Sequence, residues 1–346
     1  MSFFSAGNSG TAGSGSSRNV RCIMIGYIGK RIFWSLVIVL GILTLTFIII
    51  HLAPGDPASI YIRPEIDAKT VATIRRQMGL EKPLLQQYII WLKEFTTGNF
   101  GISFSHKRAV SSVIGEATWN TLQLTVIVFV FQLIVGVCLG MYAAIRHNTR
   151  SDQSINSLLL FFYSLPGFWL ALMLISLFSL KLGWLPSGQM KSIILTGGIV
   201  QQVFDRIKHL ILPAFILSLP FIAITTRFVR GSLLDVLGQD YIRTARAYGL
   251  PRNKILFLYA LKNALLPLVT LLGLYLPFLL GGSVIIENVF AWPGMGRVTV
   301  NAIFAHDFPL ILATNFIAAL TIVIGNLISD ILYFYVDPRI RMGGIG

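Results

Sequence analysis

Acidic residues are scarce in this chain of 346 residues, with 14 Asp and Glu against 28 Lys and Arg. Cysteine is scarcer still: only Cys22 and Cys138 occur, too few for a disulfide framework, and neither is assigned a role. The five histidines, at positions 51, 106, 147, 209 and 306, are scattered rather than set at metal-ligand spacing. No G-x-x-x-x-G-K-[ST] phosphate loop is present; Gly26-Tyr-Ile-Gly-Lys30 lacks both the spacing and the final Ser or Thr. Paired carboxylates and a nucleophile constellation are missing as well. The expectation is therefore no catalytic, cofactor-binding or metal-binding residue. Any energy the chain uses has to come from a partner.

What the chain has in abundance is apolar side chains. Hydrophobic residues make up 55% of it, charged residues 12%, and the mean hydropathy is +0.74. That is too oily for a soluble chain of this length. An apolar run of about 17–25 residues crosses a bilayer as a helix. Six such runs occur, at Ile32–Ile50, Leu122–Ile145, Leu158–Leu182, Leu210–Phe228, Leu265–Ile286 and Leu310–Tyr335. The fold class expected is an all-α polytopic membrane protein with six transmembrane helices. Gln123, Gln132, Asn326 and Asp330 interrupt the runs. Such groups either hydrogen-bond to neighbouring helices or line a solute pathway, because polar groups are expensive at membrane depth.

Lys and Arg placement sets the expected orientation. With the N-terminus inside, fifteen of them flank the spans on the cytoplasmic side, seven of these between Arg227 and Lys262. The two short outer loops hold five, and the long 51–118 loop counts for little because long loops translocate largely regardless of charge. Both termini are expected in the cytoplasm. The formal net charge of +14 is then a topological signal together with attraction to anionic lipid. Basic residues interleaved with aromatics on one soluble face are not visible, which argues against nucleic acid as a partner.

The chain divides into four parts. Residues 1–25 begin rich in Gly, Ser and Asn and read as a disordered cytoplasmic tail without a signal-peptide cleavage pattern. Residues 26–118 hold the first span and an extracytoplasmic insert with two amphipathic helices, Asp67–Met78 and Pro83–Phe95. Residues 119–336 form a five-helix core with a polar loop at 229–262, and 337–346 a cytoplasmic tail. The aromatic turns Gly183–Gly188 and Phe290–Gly296 suit the membrane interface, where Trp rings sit.

The polar loop is the least expected feature. Ser232-Leu-Leu-Asp235 has the shape of a capping box and suits a helix start. Tyr241, Ala245 and Tyr248 then fall on one helical face, with Arg243 and Arg246 on another. Gly249 suits the left-handed residue that ends a helix, and Pro251 the first turn of the next. A helix, a sharp turn and a second helix between two spans offer a partner a small-residue bend and two guanidinium groups.

Ala245-Arg-Ala-Tyr-Gly249-Leu-Pro, followed by Asn263-Ala-Leu-Leu-Pro267, resembles the coupling-loop motif of ABC importer permeases in their dipeptide/oligopeptide branch. The general motif opens Glu-Ala-Ala; here Arg243-Thr244-Ala245 stands in its place, and that departure resembles the peptide branch. His51-Leu-Ala-Pro-Gly-Asp-Pro57, Met78-Gly-Leu-Glu-Lys-Pro83, Gly183-Trp-Leu-Pro186, His209-Leu-Ile-Leu-Pro213, Glu287-Asn-Val-Phe-Ala-Trp-Pro-Gly294 and Asp337-Pro-Arg339 follow the same branch in order. The resemblance covers nearly everything after about residue 25.

The resemblance implies a type I ABC importer permease fold in a prokaryotic cell membrane. It implies a second homologous permease (a heterodimer), two cytoplasmic ATPase subunits and an extracytoplasmic solute-binding protein as partners. Arg243, Thr244, Ala245, Arg246, Tyr248 and Gly249 would carry the coupling to the ATPases. The solute implied is a dipeptide or oligopeptide, with nickel complexes, glutathione or another small solute as alternatives within the branch. An ion-coupled secondary carrier would want ionisable residues at mid-span, and Asp330 is the one strong candidate. A non-transporting scaffold would explain the polar loop but not the polar residues in the spans.

Overall fold

The computed structural model describes residues 12–52, 82–192, 198–265, 268, 271, 275 and 284–336, with backbone alone for 12–28, 50, 330 and 332–336. Among these residues the chain is helical and no named strand occurs. The long elements are α1 (Ala12–Leu52), α3 (Val110–Ile145), α6 (Ile199–Leu237) and α12 (Phe308–Val336). Shorter ones are α2 (Leu84–Thr96), α4 (Arg150–Ser164) and α5 (Gly167–Leu174), the last running into a π-helical turn at Ile175–Lys181. Next come α7 (Asp240–Ala247) and α8 (Arg252–Lys254), which continues through π-helical Ile255–Leu261 into α9 (Lys262–Ala264). The series closes with α10 (Val284–Val289) and α11 (Met295–Phe304) before α12.

Four described helices are long and apolar enough to cross a membrane: Gly29–Ile49, Val110–Ile145, Ile199–Leu237 and Phe308–Ser329. The expected third span is not a straight helix, because α4 and α5 meet at 99°. Pro166 causes the break: the residue before a proline is pushed out of the helical region, and Leu165 sits at φ −80°, ψ 137°. Most of the expected fifth span, the Asp67–Met78 helix and residues 337–346 lie outside the described residues. Two expected boundaries move. Helix α1 already begins at Ala12, since a helix nucleated in a span propagates into its flank, so residues 12–25 are helix rather than disordered tail. Helix α3 starts three turns before Leu122, so no domain boundary falls at 118–119.

Helices α3 and α6 form the spine. Between helices in a bilayer there is little hydrophobic drive, so close packing and hydrogen bonds decide which faces meet. Gly136 and Gly140 open the face of α3: a Cβ on Gly136 would lie 2.8 Å from the Thr225 Cβ, and one on Gly140 2.7 Å from the Thr226 carbonyl oxygen. Across this seam the Thr225 hydroxyl donates to Gln132 Oε1 at 3.0 Å, and the Thr226 hydroxyl to the Gly136 carbonyl at 3.3 Å. Pro213 and Pro220 lie within α6 without ending it.

The insert caps one end of the bundle. On α2, Tyr88, Trp91 and Phe95 join Phe47 of α1 and Phe316 of α12 in a chain of rings with centroids 4.8–5.5 Å apart. The loop after α2 is pinned by Asp307, which is fully buried and caps α12. Its carboxylate accepts from the Ser103 hydroxyl at 2.6 Å, the Ser105 hydroxyl at 2.7 Å and the Ser105 backbone N–H at 2.9 Å. Burial alone pushes this carboxyl up, but the hydrogen bonds from Ser103, Ser105 and the Phe104 backbone outweigh it and hold the pKa below its usual value.

A second carboxylate fixes the turn before α11. Glu287, also fully buried, accepts from the Thr121 hydroxyl at 2.8 Å and the Gly296 N–H at 2.7 Å, tying α10 and α11 to α3. Trp184 is exposed, as an interfacial ring would be, but Trp292 is fully buried. Its indole N–H donates to the Asn120 carbonyl at 2.9 Å, so it is a core residue rather than an interfacial anchor.

Two predictions follow from this packing. Gly140→Val should destabilise the detergent-purified protein by about 1–3 kcal/mol through overpacking. Gly41→Val, at a position open to at least 4 Å, should leave the thermal transition nearly unchanged. For Asp307 the folded pKa lies below the unfolded one, near about 3.9. Its contribution is therefore complete above that value and lost as pH falls through the lower, folded pKa. Thermal unfolding followed from pH 7 downward should show this loss in the wild type, and Asp307→Asn should abolish that part of the slope.

Candidate functional site

Helix α7 hangs beneath the junction of α3 and α6. Ile242, fully buried, and Ala245, at 8% exposure, enter a pocket of Leu233, Ile255, Leu256, Ala260, Ala264 and Ala144. Polar ties hold the rim: Asn263 Nδ2 donates to the Tyr241 hydroxyl at 3.0 Å, and the Ser232 hydroxyl to the Ala264 carbonyl at 2.9 Å. Ser232 is thus inside α6, which runs unbroken to Leu237, and the expected capping-box start at Ser232–Asp235 does not occur. The helix start lies instead at Gln239, with Asp240 in the first turn, where a negative charge complements the helix dipole.

The C-terminal stop matches its sequence signal. Gly249 has φ +70°, the Leu250 N–H reaches the Ala245 carbonyl at 3.3 Å, and the Gly249 N–H reaches the Arg246 carbonyl at 2.9 Å. These paired bonds form a Schellman motif, with half-buried Leu250 closing it. The chain then turns at Pro251 into α8.

The residues expected to act in coupling divide into three groups. Arg243, Thr244, Arg246 and Tyr248 are exposed, the last at 83%. Ala245 faces inward as part of the anchor, and Gly249 makes the turn. The expected face of Tyr241, Ala245 and Tyr248 is not formed: the buried pair is Ile242 and Ala245, and Tyr248 lies past the last helical residue, where the chain leaves the helix path. Arg243 pairs with Asp240 at 3.3 Å, but both are largely exposed, so the pair contributes little. Four side chains point outward from a helix whose opposite face, Ile242 and Ala245, is buried.

The sequence reading missed a brace beside this site. Asp152 of α4, only 2% exposed, receives a bidentate pair of 2.7 Å bonds from Arg230 of α6. The Asn148 N–H adds a bond at 3.0 Å and the Asn156 amide another at 2.8 Å. No motif announces it; an acid four residues after Asn148 in a basic loop was the only signal. The GxxxG spacing of Gly136 and Gly140 was a legible one.

The four polar span residues do not converge. Gln132 is sealed between α3 and α6, with no partner for its Nε2 among the described residues. Gln123, nine residues earlier on α3, lines a cavity of about 780 Å³ at the other end of the bundle. Asn326 is exposed on α12 beside a groove against α1, and the Asp330 side chain lies outside the described residues.

Helical membrane spans around a two-glycine seam, with a short anchored helix at one end of them, define a polytopic membrane protein. Residues 136–342 match the family described as the binding-protein-dependent transport system inner membrane component, and residues 24–125 match its N-terminal part. The chain belongs to this family and is a transport permease component rather than an enzyme. Among its relatives is the oligopeptide transport system permease protein AppB of Bacillus subtilis (strain 168), 41% identical over 319 residues, covering 92% of this chain and 100% of the relative. Another is the glutathione transport system permease protein GsiC of Escherichia coli (strain K12), 36% identical over 318 residues, covering 92% and 99%. A solved chain of the MetNI methionine ABC transporter in an inward-facing conformation aligns at 18% identity and a TM-score of 0.46, covering 67% of this chain and 96% of that one.

The brace gives a test. Arg230→Gln leaves Asp152 without its cation but still bonded to Asn148 and Asn156, and should cost about 1–3 kcal/mol. The double change Asp152→Asn with Arg230→Gln should recover much of that loss in thermal unfolding.

Proposed function

We propose that this permease carries short peptides in partnership with a second homologous permease and an extracytoplasmic solute-binding protein, and is driven by two ATPases, one of which docks on its α7. The observation that carries the proposal is the presentation of α7: Arg243, Thr244, Arg246 and Tyr248 point outward while Ile242 and Ala245 lock the helix to α3 and α6. A displacement imposed on α7 passes through that contact into the spine. From Arg230 and Asp152 it passes on to α4. The helices then rock between two states, biased by nucleotide on one side and by loaded binding protein on the other.

The Lys and Arg distribution supports placing α7 and both termini in the cytoplasm of a prokaryotic cell. The peptide reading rests on the branch-specific Arg243-Thr244-Ala245 and on the oligopeptide relative. The relative named for glutathione supports that solute as the second reading.

Gly249→Val tests the coupling. Its backbone needs a positive φ, which costs a β-branched residue about 1–2 kcal/mol, while no neighbour within 4 Å obstructs the side chain itself. In the reconstituted complex this variant should assemble normally, hydrolyse ATP, and lose peptide uptake. Wild-type uptake at normal assembly would sink the coupling role.

A further inference from the structure

The cavity that Gln123 lines sits at the end of the bundle away from α7. Gln123 and Met141, the latter packed beside α7, are 18 residues apart on α3, about 27 Å along the helix. The walls are the start of α3, the 189–192 loop, the first turns of α6 and the turn before α11. Its volume of about 780 Å³ falls within the range of small-ligand sites.

Its charge is lopsided. Lys191, Arg206 and Arg297 line it, against the single carboxylate of Asp205. Both oxygens of that carboxylate are already engaged: the Ser192 N–H donates to one at 2.8 Å, the Ser192 hydroxyl to the other at 2.6 Å, and His209 lies 3.6 Å away. Arg297 donates from Nη1 to the Ala291 carbonyl at 2.6 Å, which fixes its guanidinium without neutralising it. None of the three cations makes a salt bridge to a described carboxylate. On the facing wall, Gln123 commits its amide only to a long 3.5 Å contact with the Trp119 carbonyl, and Trp119 adds an exposed ring.

Three lining cations, one of them held by a carbonyl, together with an available amide and an aromatic face match one ligand chemistry, a small solute with a free carboxylate and peptide groups. We infer that this cavity receives the C-terminal carboxylate of a short peptide on Arg297, Lys191 and Arg206, with the Gln123 amide pairing to the peptide backbone. The inference rests on the peptide reading above and adds to it a site on the permease itself. It makes the permease a second point of solute selection after the binding protein. Charge-assisted bonds of this kind are roughly twice as strong as neutral ones.

The test uses the complete transporter in detergent or reconstituted vesicles, with tri-alanine, its C-terminal amide and its N-acetyl form as probes. Saturation-transfer NMR on the complex without binding protein measures binding, and vesicle uptake with loaded binding protein measures transport. Tri-alanine and its N-acetyl form should bind, and the amide should bind about tenfold more weakly. Lys191→Gln with Arg206→Gln should shrink that difference by weakening the free-carboxylate forms, with Arg297 left as the one lining cation. Gln123→Glu, on the facing wall and remote from any structural bond to Arg297, should weaken them through repulsion. Equal binding of acid and amide, or variants that bind like the wild type, would overturn the site. An equal fall in uptake of all probes with unchanged peptide binding would also overturn it, assigning the cations to an acidic surface of the binding protein. Absence of peptide uptake by the wild type would remove the peptide reading, while the binding comparison would still decide whether the cavity takes a carboxylate.

Discussion

The approach of α6 to α3 is the contact on which the other elements depend. Within a bilayer, lipid tails are as apolar as Leu, so two helices associate firmly only where their backbones can come close. Gly136 and Gly140 supply that closeness, and Thr225, Thr226 and Val229 fill it. Everything else is hung on this pair. At one end, Thr121 of α3 holds Glu287, which positions the turn before α11. At the other, Ile242 joins one buried cluster with Leu233 of α6, Ala144 of α3 and the Ile255–Leu261 segment on which α7 packs.

The two ends differ in physical character. The α7 end is an apolar socket with exposed cations around it, and its charge pair Asp152–Arg230 is internal and satisfied. The cavity end is polar, with the one carboxylate among its described lining residues bonded to Ser192 and three cations beside it. A helix running the whole distance joins them, so each end is a fixed reference for the other. Coupling between a driving partner and a solute needs such a shared rigid element with two arrangements. Gln132, buried in the seam with only one of its two polar atoms paired among the described residues, lies between the two ends on that same helix.

The class, the positions of most spans and the stop at Gly249 were legible because each has a local physical cause. Long apolar runs have one fate, and a left-handed residue after a short helix wants glycine. The inward face of α7 was misread because local periodicity does not say where the helix ends. With Tyr248 placed on the helix, Tyr241, Ala245 and Tyr248 look like a face; with the stop at Ala247, Ile242 and Ala245 are the pair that packs. Ser232 followed the same pattern, its hydroxyl spent on Ala264 rather than on a cap. Asp152 and Arg230 are 78 residues apart, and only the close of the bundle brings them together. Trp292 gave an interfacial signal by type but is held by a backbone oxygen 172 residues away.

Ile242 in its socket has a mechanical asymmetry. Van der Waals repulsion rises steeply, whereas a gap of about 0.5–1 Å already forfeits about a quarter to a half of each contact's attraction. Under the proposed coupling, a push on α7 would pass stiffly into this shared cluster, whereas the same contact is a poor handle for a pull. Traction has to travel through the covalent straps at its ends, Gly238-Gln239 and Leu250-Pro251, and through the bond from Asn263 to Tyr241. Under the coupling proposed above, the power stroke and the recovery stroke would run along different atoms.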